Sequence, residues 1–140
     1  MQTPSNPVRS YNPARIVLSI PDVPVSPNGP KGYLRMHWAK RAKYNEAWAW
    51  RIRGAMGWPA VFDQAPDMAR VTIVQYRRKM LDVDNLYSSC KCLLDGLVDW
   101  ELIADDSPDH IELTVRQEVA KETHTEIEIE TKCLTPAARP

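Results

Sequence analysis

Two short stretches of the chain concentrate side chains able to act on phosphate esters. They are Leu81-Asp82-Val83-Asp84-Asn85-Leu86 and Asp105-Asp106-Ser107-Pro108, with Lys91 and Asp95 between them. Asp-x-Asp supplies hard oxygen ligands of the kind Mg²⁺ prefers while it keeps several of its own waters. The pair follows an expected strand and opens an expected helix, whose N-terminus favours anions and relieves part of the repulsion between two carboxylates. On a regular helix running from Asp84 to Val98, Asp84, Ser88, Lys91 and Asp95 share one stripe at ~100° per residue. A lysine on that stripe stands near a metal site without being a ligand, where it would offset charge developing on a phosphate. The plainer reading of Lys91 and Asp95 is an i,i+4 surface pair contributing ~0.3–0.5 kcal/mol. Asp105-Asp106, taken alone, reads as a solvated turn. Combined, these features suggest a converging cluster.

Other uses of Asp-x-Asp fit poorly. A calcium-binding EF-hand loop needs Gly two residues after Asn85, and Tyr87 stands there. An aspartyl-phosphate enzyme places the motif directly after an apolar strand, whereas Arg77-Arg78-Lys79 intervenes here. There is no Gly-rich phosphate loop, and no Ser or Cys sits in a recognisable nucleophile setting. Cys90, Cys92 and Cys133 are odd in number, which opposes a disulfide framework, and Cys-x-Cys lacks a second pair to close a zinc site. They read as plain thiols.

Charge is balanced over the whole chain but not along it. Residues 31–80 carry eleven Lys/Arg against three acids, a net +8, whereas residues 81–133 carry fourteen acids against four bases, a net −10. A basic surface beside a concentrated acidic site suits a metal-dependent enzyme acting on a polyanion. Mutual neutralisation in ordinary surface pairs is the competing reading.

The elements that must position these groups follow from periodicity. Arg15–Ile20 alternates as a first strand, and the Pro-, Asn- and Gly-rich Pro21–Lys31 forms a loop. A long helix runs from Tyr33 or Arg35 to Met56, with Ala42, Asn45, Ala49, Ile52 and Met56 at helical spacing, stopped by Gly57 and Pro59. Trp48 and Trp50 read as core residues in preference to interface or DNA contacts, and His37 as a structural or phosphate-contacting group. Arg70–Tyr76, apolar on both faces, is expected to be a central strand. The second helix, Asp84 to Val98, buries Leu86, Cys90, Leu93 and Leu97, with Asp84 or a neighbour as its cap. Two alternating strands follow, with Ile111, Leu113 and Val115 inward on one and Ile127, Ile129 and Thr131 inward on the other. The order β-α-β-α-β-β predicts an α+β sandwich: a mixed sheet of about four strands with two main helices on one face.

The expected organisation is one domain over residues 14–133, with loose tails at 1–13 and 134–140. No apolar run approaches the ~20 residues that span a bilayer, and no basic-then-apolar leader is present. The expectation is a cytoplasmic protein.

The run Asp82-Val83-Asp84-Asn85-Leu86, Lys91 followed by Asp95-Gly96-Leu97, and then Asp105-Asp106 resembles the RusA family of Holliday-junction resolvases. The Ser26-Pro27-Asn28 loop and Arg35-Met36-His37-Trp38 are similar to that family's N-terminal region, so the likeness extends from about Ile20 to about Val115. It implies a homodimeric nuclease, often borne by phage or prophage, that cuts four-way DNA junctions by paired nicks with Mg²⁺ or Mn²⁺. Asp82, Asp84 and Asp106 would be the metal-binding acids and Lys91 the essential lysine, with Asn85, Asp95 and Asp105 in support. Arg77, Arg78 and Lys79, together with Arg35, Lys40 and Arg41 on the long helix, would grip DNA. The spacing departs from the family in one respect: Lys91 lies about one helical turn further from Asp-x-Asp-Asn. A non-cutting junction-binding protein and a less selective flap or fork nuclease are the alternatives.

Overall fold

In the computed structural model, residues 15–57 and 65–131 are described. The tails expected at 1–13 and 134–140, Pro59 and Cys133 lie outside them. Strict alternation builds the first edge of the sheet. In β1 (Arg15–Ile20), Ile16, Leu18 and Ile20 are buried while Arg15, Val17 and Ser19 are exposed. β2 (Ala69–Arg77) is buried along most of its length because it is sandwiched between neighbours on both sides. β3 (Ile111–Val119) and β4 (His124–Thr131) complete a four-stranded sheet of order β1-β4-β2-β3, in which β2 and β3 are parallel and the other pairs antiparallel. The expected α+β architecture with a mixed sheet is therefore present, and Arg70–Tyr76 lies in an interior strand.

Three helices cover the inward face: α1 (Trp38–Met56), α2 (Val83–Ser89) and α3 (Lys91–Asp99). Trp48, Ile52 and Met56 from α1 and Leu86, Leu93 and Leu97 from α2 and α3 share one core with Leu18, Ile73, Ile127 and Ile129 of the sheet. The opposite sheet face is a polar ladder in which Arg70 lies 3.4 Å from both Glu112 and Glu130. Such exposed pairs contribute little to stability.

The structure corrects three expectations about the helices. The first helix begins at Trp38, after a separate 3-10 turn at Tyr33–Arg35, because His37 is extended and its ring nitrogen accepts the Ala39 N–H at 3.3 Å as a cap. Trp48 is buried, but Trp50 is 59% exposed, so only the first of the two tryptophans is a core residue. The second helix is two. In an unbroken helix the Leu86 carbonyl would accept the Cys90 N–H, but the Ser89 hydroxyl donates to it at 2.6 Å, and Cys90 N–H turns to the Tyr87 carbonyl instead. Local side-chain competition of this kind breaks helices.

α1 and α3 cross where Gly96 faces Ala49 and Ile52. A Cβ on Gly96 would stand 2.5 Å from Ile52 Cδ1 and 3.3 Å from Ala49 Cα. Gly96→Ala gains about 1 kcal/mol of helix propensity but overpacks the crossing by about 1–3 kcal/mol. A net loss of about 1 kcal/mol is expected in urea unfolding, and a gain would show the crossing to be looser than these distances.

Candidate functional site

The loop after β1 is shaped by close backbone approach. A Cβ at Gly32 would lie 2.4 Å from the Asn28 carbonyl oxygen and 2.6 Å from that of Pro27, so glycine is required there. With it, Tyr33 N–H reaches the Ser26 carbonyl and Leu34 N–H the Pro27 carbonyl, each at 3.0 Å. That turn presents Asn28, whose side-chain amide donates to Asn85 Oδ1 at 2.8 Å. Residues 57 positions apart in the chain are thus joined beside the Asp-x-Asp motif.

The motif itself is held from two sides. Gln117 of β3 accepts the Leu81 N–H at 3.0 Å and donates to the Leu81 carbonyl at 2.7 Å, imitating one rung of a sheet. Asp82 then caps α2, its carboxylate accepting the Asn85 N–H at 3.2 Å, and Asp84 lies exposed in the first turn. Asp82, not Asp84, is the cap. Both carboxylates sit at a helix N-terminus, the placement that favours negative charge.

Lys91 opens α3. Its ammonium donates to Asp106 Oδ2 at 2.8 Å and pairs with Asp95 Oδ1 at 3.1 Å. The hydrogen bond to Asp106, and then that to Asp95, raises the Lys91 pKa, so the lysine is charged at any physiological pH. Asp105 is exposed next to this triplet. The plainer i,i+4 pairing of Lys91 with Asp95 is present, and Lys91 also holds Asp106, which the sequence placed among the metal ligands instead.

The three expected metal ligands are not gathered. Lys91 stands seven positions beyond Asp84, across the break between α2 and α3, and Asp106 has joined Lys91. Among the described residues, no three His, Cys, Asp or Glu side chains stand close enough to hold a metal ion. The Asp82–Asp84 pair and the Lys91–Asp95–Asp106 triplet are separate clusters. An open cleft of about 560 Å³, lined by Asn28, Leu34, Asn85, Tyr87, Ser88 and Lys91 among others, brings Asn85 of the first motif and Lys91 to one surface.

Of the expected DNA-gripping residues, Arg35, Lys40, Arg78 and Lys79 are exposed. Arg41 folds back, donating to the Leu34 and Met36 carbonyls at 3.4 and 3.3 Å with its guanidinium over the Tyr33 ring. Arg77 corrects its expectation outright, being only 8% exposed. Its Nε donates to Gln75 Oε1 at 2.6 Å and its Nη2 to the Pro24 carbonyl. Gln75 in turn donates to Ser89 Oγ at 3.0 Å and contacts Cys90 Sγ at 3.2 Å. This buried chain connects the Pro24 loop, the end of β2 and the break between α2 and α3.

Gln75, Gln117, Ser89 and Gly32 were not among the expected site residues. A signal for the glutamines exists in the sequence: each continues the inward alternation of an otherwise apolar strand face. A polar group there must find a buried partner.

Cys90 and Cys92 are buried free thiols, as the composition suggested. Burial pushes the Cys90 thiol up to about 11 and the Cys92 thiol up to about 12. An unfolded thiol titrates near ~8.5. The folded chain therefore holds protons that the unfolded chain releases, so this part of the stability is intact below the unfolded value. It is lost as pH rises through the folded values. Native protein at pH 8 should leave both thiols unlabelled by a thiol reagent that labels them in urea; fast native labelling would contradict the burial.

Compared with family models and with curated proteins, the chain matches none.

Proposed function

We propose that this chain is a divalent-metal-dependent endodeoxyribonuclease that resolves four-way DNA junctions by paired nicks. One observation supports this above the rest. Lys91, clamped between Asp95 and Asp106, lines the same cleft as Asn28 and Asn85, next to the helix start that carries Asp82 and Asp84. A cation fixed by two carboxylates and an exposed pair of hard-oxygen donors at the start of α2, with exposed Arg35, Lys40, Arg78 and Lys79 available for phosphates, suit hydrolysis of a polyanionic backbone.

The proposed cofactor is Mg²⁺, with Mn²⁺ as its substitute, and its proposed ligands are Asp82, Asp84 and Asp106. When bound, such an ion lowers the pKa of a coordinated water and stabilises the oxygens of an in-line displacement. The three carboxylates stand apart in the single chain, so they do not form a ready-made cage. Mg²⁺ commonly binds through one or two carboxylates together with substrate phosphates, which is compatible with the Asp82–Asp84 pair alone. A homodimer is proposed with this reading, since two-fold symmetry would place two sites on opposing strands.

Binding of junctions without cleavage is the second reading, motivated by the placing of Lys91 seven positions beyond Asp84, across a break in the helix. A synthetic four-way junction with labelled strands, incubated with and without Mg²⁺, separates the two. Symmetric paired nicks that need Mg²⁺ and vanish in Asp84→Asn establish the nuclease. Tight binding with no cuts under Mg²⁺ or Mn²⁺ establishes the non-cutting protein. Comparable cutting of flaps and forks would replace junction resolution with a broader structure-specific activity.

A further inference from the structure

The most exposed large apolar side chain at the start of α1 has no role in the reading above. Trp38 is 75% exposed, and Leu34, four residues earlier, is 61% exposed. Burying an indole from water is worth far more than burying most side chains, so one left open at a fixed position is a candidate contact group. The position is rigid. Arg41 reaches back from α1 to the carbonyls of Leu34 and Met36, its guanidinium lies 4.9 Å from the Tyr33 ring centroid, and the His37 ring packs 5.5 Å from that of Trp38.

Two observations choose the occupant. Residues 31–43 contain Lys31, Arg35, Lys40, Arg41 and Lys43 and no Asp or Glu. A second copy docked here by two-fold symmetry would bring this cationic block against itself, whereas a polyanion complements it. Leu34 also lines the cleft that holds Asn28, Asn85 and Lys91, so the segment leading into Trp38 borders the proposed site. An exposed aromatic ring among cations is the arrangement by which proteins hold single strands, phosphates on the cations and a base on the ring.

We infer that Trp38 is a stacking platform for an unpaired nucleobase of a DNA strand entering the Lys91 cleft. The inference rests on the proposed action on DNA and adds to it a preference for unpaired over fully paired strand. A contact of this kind would engage bases freed where strands exchange at a junction.

The test uses the full chain in EDTA, so that binding is read without cutting. The probes are single-stranded oligodeoxythymidylate, a fully paired duplex of equal length and a four-way junction. Single strand should quench tryptophan emission in the wild type, and Trp38→Phe should lose most of the quench while still binding. Trp38→Ala should weaken single-strand and junction binding about tenfold, within the range measured for base–aromatic stacking, and leave duplex binding unchanged. An unchanged melting temperature in Trp38→Ala, expected at so exposed a position, shows that the loss is local. Unaltered single-strand affinity in Trp38→Ala overturns the inference, as does an equal loss on duplex. A shift from dimer to monomer in sedimentation, with affinity per site unchanged, overturns it too by assigning the patch to self-association. Wild-type protein that binds DNA while Trp38→Ala binds every probe equally well removes this inference alone; wild-type protein that binds no DNA removes the proposed function with it.

Discussion

Lys91→Ala is expected to lower Mg²⁺-dependent junction cutting by about 10²–10³-fold, the range for removing one preorganised charge-stabilising donor, while barely altering the fold. The two consequences separate because the ammonium is exposed. The side chains in the pair are 62% and 43% exposed for Lys91–Asp95, and 62% and 27% for Lys91–Asp106. Ion pairs in that setting contribute about 0–1 kcal/mol, so the melting temperature should move by only a few degrees. Junction binding should survive, since one cation among many contributes about one unit of salt slope. Rates measured under single-turnover conditions, with binding and melting on the same preparation, distinguish the roles. Cutting that continues at the wild-type rate would mean that Lys91 serves only to neutralise Asp95 and Asp106. In that event the charge that offsets a developing phosphate dianion would have to come from another cation.

The placing of Lys91 shows what periodicity could and could not deliver. A helical wheel drawn through Asp84, Ser88, Lys91 and Asp95 assumes one regular helix, and the Ser89 hydroxyl breaks it by taking the Leu86 carbonyl. The i,i+4 pair of Lys91 with Asp95 lies wholly within α3 and was legible for that reason. The contact with Asp106 spans fifteen residues and a turn, and no local pattern encodes it. The sheet was legible for the opposite cause. Alternation in Arg15–Ile20 and Glu126–Thr131 is a period-two signal that burial of one face enforces at each position. The order of those strands was not legible, because β3 and β4 are consecutive in the chain yet separated by β2 in the sheet. Trp48 and Trp50 make the same point about helices. They lie ~200° apart on the wheel, so one turns inward and the other outward, and composition alone assigns both to the core.

Arg77→Ala is expected to destabilise the protein by about 3 kcal/mol and lower its melting temperature by about 10 °C, an effect that neighbouring Arg78→Ala should not share. The sequence Arg77-Arg78-Lys79 reads as one basic run, but β2 is still a strand at Arg77 and its alternation turns that side chain inward. There the guanidinium supplies the donors for Gln75 Oε1 and the Pro24 carbonyl. Truncation orphans both acceptors, at about 1–3 kcal/mol each, and leaves a void where the side chain lay. Burial with no carboxylate partner among the described residues opposes this. Desolvation lowers the Arg77 pKa, and removing the cation relieves that strain, which places the net loss near the lower end of the combined range. Lysine is a poor substitute, because a point ammonium cannot span two acceptors as the planar fork does. Arg78 is exposed and, among the described residues, donates to the Lys121 carbonyl alone, at 3.0 Å. Its truncation should leave stability within about 0.5 kcal/mol and reduce the salt slope of junction binding by about one. Urea unfolding and a salt titration of both variants decide the matter. A stable Arg77→Ala with a reduced salt slope would put the guanidinium on the DNA side after all. An unstable one with an unaltered slope assigns it to the buried chain that sets the Pro24 loop, and through that loop Asn28, against the start of α2.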